Sequence, residues 1–336
     1  MTTRKLRFGL WYAFRNPAEW RVDYADLYAE HLRQIAWAET IGYDDVWLTE
    51  HHFCDDGHAP SILPLAAAVA ATTRRIRIGT GVLLLPLHHA VRVAEDAATV
   101  DILSRGRFEL GVGVGYRPQE FAALGVAPRD RAGLVEEGLE VIRRLWEGGP
   151  VDYHGRHYTL DSVTLEPSPL QRPRPPLWVG GFAPVAARRA ARLGDGYIGT
   201  GDMTAQSQVY REECARLGVR RPRLAGGHFW LIVSRDPART FDAVAPHVLY
   251  QIAVYNRWLG EAGQALFPAI ERPEQLRELG ILLCLSPQEA VDHIGQYVEA
   301  TGIERYYTWT VPPGYPVARM DEHLALFAET VMPAFR

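Results

Sequence analysis

The chain of 336 residues is 47% hydrophobic and 23% charged, which is typical of a globular protein with two ordinary domains or one large barrel. Its 36 basic and 40 acidic residues give a formal net charge of −4 without a basic stripe, which argues against a nucleic-acid partner. The chain has three scattered cysteines, a polar N-terminus and no apolar run of membrane length. These features predict a cytoplasmic protein with no membrane partner.

The first half of the chain predicts four units in which a strand is followed by a helix. The strands are predicted at residues 6–11, 44–48, 75–86 and 107–115, and the helices at 23–41, 62–72, 91–103 and 131–146. These strands are nearly continuous apolar runs, as expected when both faces of a sheet are covered. Strands that alternate with helices predict a parallel sheet with right-handed crossovers.

The second half continues this alternation with two interruptions. Strands are predicted at 176–182, 195–201, 224–234 and 305–311, and helices at 184–193, 205–217, 288–301 and 320–332. A hairpin insertion with a proline-rich connector is predicted at about 151–176, and a mostly helical insertion at about 237–285. Eight units without a linker predict one α/β domain over 1–336, a closed (β/α)8 TIM barrel with insertion segments.

The C-terminal ends of the predicted strands carry glycines and aromatic residues. Chemistry in such a barrel takes place at these ends. Glycines at four of them would let a flat or phosphorylated ligand approach the backbone, and VGGFAP before a helix resembles a phosphate cradle. Trp11 and Trp309 end the first and last strands, which suits a planar ligand and an apolar substrate.

The segment WLTEHHF places His51 and His52 just after the second strand, where a metal site, an acid–base site or a solvated strand end are the alternatives. A metal site needs three or four ligands, and neighbouring residues on a strand point to opposite faces. We therefore predict no metal. The position at a strand end favours at least one working histidine, with the other packed or solvated.

Several segments together resemble the bacterial luciferase family of flavin-dependent monooxygenases. They are WLTEHHF, RIGTGVLLLPLHHAVRVAEDAATVDILSRGRFELGVGVGY, PLWVGG, EATGIERYY and VMPAF, so the resemblance runs from about Leu6 to the C-terminus. It implies a dimeric two-component monooxygenase that receives reduced FMN from a separate flavin reductase. Flavin and O2 would form a C4a-peroxide that oxygenates a small or medium organic substrate.

The resemblance also implies roles for individual residues. His51 and His52 match the catalytic pair, and Gly81–Val82 match a cis peptide bond against the flavin. The remaining flavin-binding positions are Gly115, Tyr116, Arg117, Gly180, Gly181 and Phe182, and the expected substrate-binding positions are Trp11 and Trp309. Many relatives have a phosphate-binding arginine where this chain has Val114, and Arg117 is the expected substitute.

Two further functions of the same fold stay open. A sister branch uses a deazaflavin coenzyme for hydride transfer, but its segment after strand two more often reads SDH than EHH, which favours FMN here. A non-catalytic flavin-binding subunit is the third alternative, and the retained His51, His52 and glycine turns argue against it. Aromatic residues and few charges near the predicted site indicate an apolar or uncharged reacting group, and an anionic tail bound by Arg117 and Arg156 is the alternative that stays open.

Overall fold

The computed structural model describes residues 5–265 and 267–336. Its strands are β1 (Arg7–Tyr12), β2 (Asp45–Leu48), β3 (Arg77–Thr80), β4 (Leu83–Leu84), β5 (Phe108–Gly113), β6 (Val151–His154), β7 (Thr159–Val163), β8 (Leu177–Gly180), β9 (Gly196–Ile198), β10 (Leu224–Gly226), β11 (Trp230–Val233), β12 (Leu282–Leu285) and β13 (Arg305–Trp309). Its helices are α1 (Tyr24–Thr40), α2 (Ile62–Thr72), α3 (Ala90–Leu103), α4 (Pro118–Ala123), α5 (Arg131–Glu147), α6 (Pro184–Leu193), α7 (Thr204–Arg216), α8 (Pro237–Glu261), α9 (Glu274–Glu278), α10 (Pro287–Thr301) and α11 (Asp321–Thr330).

Eight parallel strands close into a barrel in the order β1, β2, β3, β5, β8, β9, β10 and β13. Strand β13 pairs with β1, and β3 pairs with β5, so every barrel strand has a neighbour on both sides. The predicted (β/α)8 barrel is therefore confirmed. Within the described residues, no helix has both the length and the apolarity needed to cross a bilayer.

The predicted hairpin insertion is present, because β6 and β7 pair antiparallel. The strand predicted at 224–234, however, is wrong as one element, since β10 ends at Gly226 and β11 begins at Trp230. A side chain at Gly227 would collide with the carbonyl of Tyr307, so the backbone passes very close to β13 there. Strand β11 then pairs with β12, which lies inside the segment predicted as mostly helical.

The helix ends follow recognisable capping chemistry. The carboxylate of Asp23 accepts hydrogen bonds from the backbone N–H groups of Ala25 and Asp26 at the start of α1. Ser286 and Glu289 form a capping box at the start of α10, and Gly302 ends that helix with φ of 61°. These local signals explain why the sequence places the helix ends to within a few residues.

The barrel interior is filled by tryptophans that face glycines on neighbouring strands. Trp47 and Trp178 are fully buried and meet edge to face, with ring centroids 5.8 Å apart. A side chain at Gly79 would collide with Trp47, and one at Gly196 with Trp178. The alternation of large and absent side chains lets the interior close without a channel.

A buried ionic group lies at the N-terminal end of the barrel, opposite the strand ends that carry chemistry. Arg305 contacts Glu109 at 2.9 Å and Asp45 at 3.7 Å. Burial raises the pKa of Asp45 to about 6, because the attraction of Arg305 offsets only part of the desolvation. For Glu109, burial also raises the pKa, but Arg305 and Arg77 outweigh it and lower the value to about 2.

Candidate active site

A cavity of about 680 Å³ opens at the C-terminal ends of the barrel strands and is covered by α8. This volume lies within the range of small-molecule sites, roughly 300–1,000 Å³. The predicted site residues that line the cavity are Trp11, His51, Gly81, Val82, Gly115, Tyr116, Gly180, Gly181, Phe182 and Trp309. Two predicted residues, His52 and Arg117, are outside its lining.

His51 is held between a carboxylate and a phenol. Its Nδ1 lies 2.9 Å from Oε1 of Glu120, and its Nε2 lies 3.3 Å from the hydroxyl of Tyr116. The same carboxylate oxygen accepts the backbone N–H of His52 at 2.8 Å. A carboxylate on Nδ1 selects the tautomer that carries hydrogen there, which leaves Nε2 to exchange a proton beside the cavity.

The charges of this triad follow from its surroundings. Burial alone raises the pKa of Glu120, but the hydrogen bond and charge of His51 and the charge of Arg117 outweigh it, so the pKa is lowered. Burial holds the pKa of Tyr116 well above its usual value. Glu120 is therefore an anion and Tyr116 a neutral hydroxyl donor at neutral pH.

Arg117 does not bind in the cavity as predicted, and this corrects its assignment to the phosphate. Its guanidinium stacks 4.1 Å from the ring centroid of Trp258 and donates to the His52 carbonyl at 2.6 Å. It also contacts Glu120 at 3.2 Å and is 3% exposed. The sequence placed it correctly after the fourth barrel strand, but the short helix α4 turns it behind His51.

His52 faces away from the cavity, into a group that we call the Glu50 cluster: Glu50, His52 and His88. One oxygen of Glu50 lies 2.6 Å from Nε2 of each histidine, and the other accepts the N–H of Leu84 at 2.9 Å. Burial raises the pKa of Glu50, but the hydrogen bonds from the two histidines outweigh it and lower the pKa to about 2. His52 therefore supports Glu50, which lines the cavity, and does not reach the cavity itself.

The Glu50 cluster also brings together three donor atoms of metal-binding type, all within 4.8 Å of one another. His88 follows the turn Leu85–Leu87 and approaches from another part of the chain, so the three donors are not neighbours on one strand. As placed, both imidazoles lie within hydrogen-bond distance of a single carboxylate oxygen, which satisfies that oxygen without an ion.

The peptide bond between Gly81 and Val82 is cis, as the resemblance implies. The indole N–H of Trp11 donates to the Gly81 carbonyl at 2.8 Å. Val82 lies between Gly113 and Gly180, where added side chains would come within 2.6 and 2.7 Å of its methyl groups. The glycines of the fourth and fifth barrel strands thus leave room for Val82 at the base of the cavity.

The cavity is also lined, near the glycine turns, by two arginines without a predicted role. Arg131 begins α5, and its Nη1 lies 3.5 Å from the Gly115 carbonyl. Arg189, in α6, is 4% exposed and contacts Glu136 through Nε at 3.0 Å. Within residues 5–265 and 267–336, no hydrogen bond to the Nη groups of Arg189 is found, so they are available to an anion.

These missed residues had no local signal in the sequence. Glu120 lies 69 positions from His51, and His88 lies 38 positions from Glu50. Arg131 and Arg189 lie on amphipathic helices, where basic residues are common and do not by themselves indicate a binding site. Only their place beside the predicted glycine turns in three dimensions distinguishes them.

The closed barrel with a ligand cavity at its C-terminal mouth defines the class as a TIM-barrel protein. The chain belongs to the luciferase-like monooxygenase family, whose pattern it matches over residues 6–305. It is 25% identical to the oxygenase component of flavin-dependent trigonelline monooxygenase from Acinetobacter baylyi, over 92% of this chain and 90% of that protein.

The chain is also similar to proteins that use coenzyme F420. The chain is 37% identical to F420-dependent glucose-6-phosphate dehydrogenase from Microbacterium testaceum, over 89% of this chain and 91% of that protein. Among solved structures, monooxygenase RslO1 from Streptomyces bottropensis superposes with a TM-score of 0.84 and 26% identity, covering 98% of this chain and all of that one. Family membership therefore leaves oxygenation and hydride transfer as the two reactions to distinguish.

Proposed function

We propose that the protein is the oxygenase component of a two-component monooxygenase that uses reduced FMN and O2 to oxygenate a small or medium organic substrate. A flavin reductase would supply the reduced FMN transiently, and we expect a cytoplasmic homodimer. The observation that carries this proposal is the buried His51–Glu120 pair, with Tyr116 on its other side, at the wall of a cavity lined by glycines, aromatic rings and two arginines.

The residues of the cavity fit FMN in shape and charge. Its base is the Gly81 backbone and the Val82 side chain, which fills the space beside Gly113 and Gly180, and a planar ring can lie against this surface. Arg131 and Arg189 border the turn after β5 and the helix after β8, where their guanidinium groups would hold a phosphate. The N-terminus of α6 after Gly181 adds a favourable dipole for that anion.

The flavin would supply the redox chemistry with O2, and the chain would control a proton beside it. Nε2 of His51 is the atom at which that proton is held or released, because Nδ1 is fixed by the Glu120 anion. The Tyr116 hydroxyl, kept neutral by burial, can donate to Nε2 and orient the ring. The aromatic rings of α8 above His51 would exclude water from this position.

A deazaflavin-dependent dehydrogenase is the second candidate, and the 37% identity to the Microbacterium testaceum enzyme favours it. A histidine held by a carboxylate could also remove a proton from an alcohol during hydride transfer. The acidic, basic and histidine side chains that line the cavity within the described residues, however, are Glu50, His51, Arg131 and Arg189. The rest of the described lining offers no arginine or lysine to the phosphate of a sugar phosphate.

The decisive experiment measures the two coenzymes side by side. Anaerobic titration with reduced FMN and with reduced F420 should show binding of FMN, and addition of O2 should then give oxygen uptake by the protein-bound flavin. His51→Ala should bind reduced FMN equally well and change the fate of the oxygen. Binding of F420 together with its reduction by an alcohol, and no retention of FMN, would establish the dehydrogenase instead.

A further inference from the structure

Arg117 is a buried cation that holds the carboxylate of the His51–Glu120 pair. Its Nη1 lies 3.2 Å from Oε1 of Glu120, and Nδ1 of His51 lies 2.9 Å from the same oxygen atom. That Nη1 also donates to the His52 carbonyl at 2.6 Å, so the guanidinium bridges α4 and the histidine loop. Because the guanidinium and the imidazole meet on one oxygen atom, the charge of either group acts directly on the other.

The indole of Trp258, on α8, covers both of these groups. The guanidinium carbon of Arg117 lies 4.1 Å from the centroid of the indole, and the ring centroid of His51 lies 5.0 Å from it. Trp258 and Arg117 are each 3% exposed. The face of the indole attracts the cation, and the exclusion of water leaves its charge less screened than a charge at the surface.

The other titratable side chains that contact His51 are neutral at neutral pH. Burial raises the pKa of Tyr116, which follows β5, well above its usual value, and it raises the pKa of Tyr255 on α8 to about 12. The ring of His58 lies 5.0 Å from that of His51. Burial lowers the pKa of His58 well below its usual value, and the charges of His51 and Arg15 lower it further.

The charged groups at greater distance are paired or held elsewhere. Arg15 lies 5.4 Å from the Tyr255 ring and pairs with Asp56 at 2.6 Å, so the two charges largely cancel. Burial raises the pKa of Cys54, which Arg117 contacts, to about 12, so this thiol is neutral. The Glu50 cluster holds its carboxylate between two imidazoles. Arg117 is therefore the cation that directly balances the anion on His51.

This arrangement has a consequence for the proton on Nε2 of His51. A carboxylate beside Nδ1 stabilises the imidazolium and so draws a proton onto the ring. A ring that is already protonated cannot accept another proton. The guanidinium on the same carboxylate opposes this effect, because it repels the imidazolium and shares the negative charge of Glu120.

We propose that Arg117 is a positioning residue: its guanidinium fixes the Glu120 carboxylate against Nδ1 of His51, and its charge favours the form of His51 in which Nε2 carries no proton. The catalytic meaning of this inference rests on the proposed function, but the ionisation of His51 can be measured without any cofactor. Two charges about 6 Å apart, at an effective dielectric constant of about 20, shift an ionisation by roughly two pH units.

The test follows the Cε1–H signal of His51 by NMR while the pH of protein labelled with 13C at its histidines is varied. The signal is assigned among the 12 histidines by its absence from His51→Ala. Arg117→Gln and Arg117→Lys both lose the planar fork, but only the glutamine variant loses the charge. In Arg117→Gln the His51 signal should titrate about one to two pH units higher than in the wild type, and in Arg117→Lys within about half a unit of it.

Arg129→Gln is the matched control, because it removes the same charge from an exposed position. It should move the titration by less than about 0.3 pH units, since solvent and salt screen its charge. Arg117→Met is the second uncharged variant, should Arg117→Gln fail to fold, and unchanged signals from the other histidines show that the fold is kept. Equal shifts in the lysine and the uncharged variants, or no shift in the uncharged ones, would overturn the proposal.

A second measurement connects the titration to the proposed function. Oxygen uptake by reduced FMN bound to each variant is recorded against pH, and its acid limb should move upward in Arg117→Gln but not in Arg117→Lys. A His51 titration that moves while the acid limb stays in place would contradict the positioning role. Absence of FMN binding by the wild-type protein would refute the proposed function, whereas the NMR titration would still decide whether Arg117 controls the proton on His51.

Discussion

Replacing Arg189 with glutamine tests the assignment of the anion end of the cavity. Arg189 is 4% exposed, lines the cavity and meets Glu136 only through Nε, so no hydrogen bond among the described residues engages its Nη groups. Glutamine keeps a polar side chain but removes the charge and shortens the reach. We expect weaker binding of FMN, which carries a phosphate, and unchanged binding of riboflavin, which lacks one.

The size of the effect follows from the contact that is lost. A hydrogen bond to a charged group contributes about 1.5–3 kcal/mol, which corresponds to a roughly 10- to 150-fold increase in the FMN dissociation constant. Loss of the contact with Glu136 should add little, because that carboxylate is 38% exposed and still lies 3.4 Å from Arg192. Riboflavin affinity should change less than about twofold, since no contact to its ring is altered.

The assay is a fluorescence titration with oxidised FMN and riboflavin, repeated anaerobically by calorimetry with the reduced forms. Arg192→Gln is the matched control, because Arg192 is on the same helix and contacts the same Glu136 but has 44% of its side chain exposed and lies outside the cavity lining. Equal losses for Arg189→Gln and Arg192→Gln, or parallel losses of FMN and riboflavin, would refute the phosphate assignment.

Four other changes test the site and the core. His51→Ala should fold and bind FMN normally while oxygen is released as hydrogen peroxide and product is lost; wild-type coupling of product to oxygen uptake would contradict its role. Glu120→Gln keeps the acceptor oxygen on His51 but removes the charge, so kcat should fall about 10- to 100-fold with little change in KM, measured by steady-state kinetics; an effect confined to KM would argue against it. The pKa of Asp45 is raised to about 6 in the folded state, so the wild type loses stability as pH rises from about 4 to about 6. Over that range, chemical denaturation should show that Asp45→Asn gains about 3 kcal/mol of stability relative to the wild type. A pH-independent difference in stability would show that Asp45 does not titrate. Dialysis against a chelator should leave the melting temperature and FMN affinity unchanged, because the Glu50 cluster is satisfied by hydrogen bonds; a loss restored by Zn²⁺ would show a metal site instead.

The fold could be predicted because its determinants are local and repetitive. Each barrel strand is a short apolar run, and each following helix has an amphipathic period with a cap such as Asp23 or Ser286. Strand β12 was missed for the same reason. Its four residues were too short to distinguish from the surrounding helical pattern, and it is a strand only because β11 lies beside it.

The candidate site could be predicted only as far as barrel geometry alone defines it. The closed sheet brings all strand ends to one mouth, so His51, Gly81, Gly180 and Trp309 could be placed together without knowledge of any contact. The direction of each side chain was harder to predict. His51 and His52 are neighbours in an irregular segment, and only the positions of Glu120 and Glu50 decide which one reaches the cavity.

Several groups at the candidate site come from segments outside the strand-and-helix repeat. Glu120 lies on the short helix α4, Gln251 and Tyr255 on the inserted helix α8, and Trp230 on β11, which leaves the barrel. The barrel strands carry the glycines that we propose as the coenzyme site, and the chain is similar to both FMN-type and F420-type relatives. We therefore expect selection of the reaction and of the substrate to act mainly on α4, α8 and β11. Exchanging these segments between relatives should transfer specificity while leaving the glycines proposed to bind the coenzyme untouched.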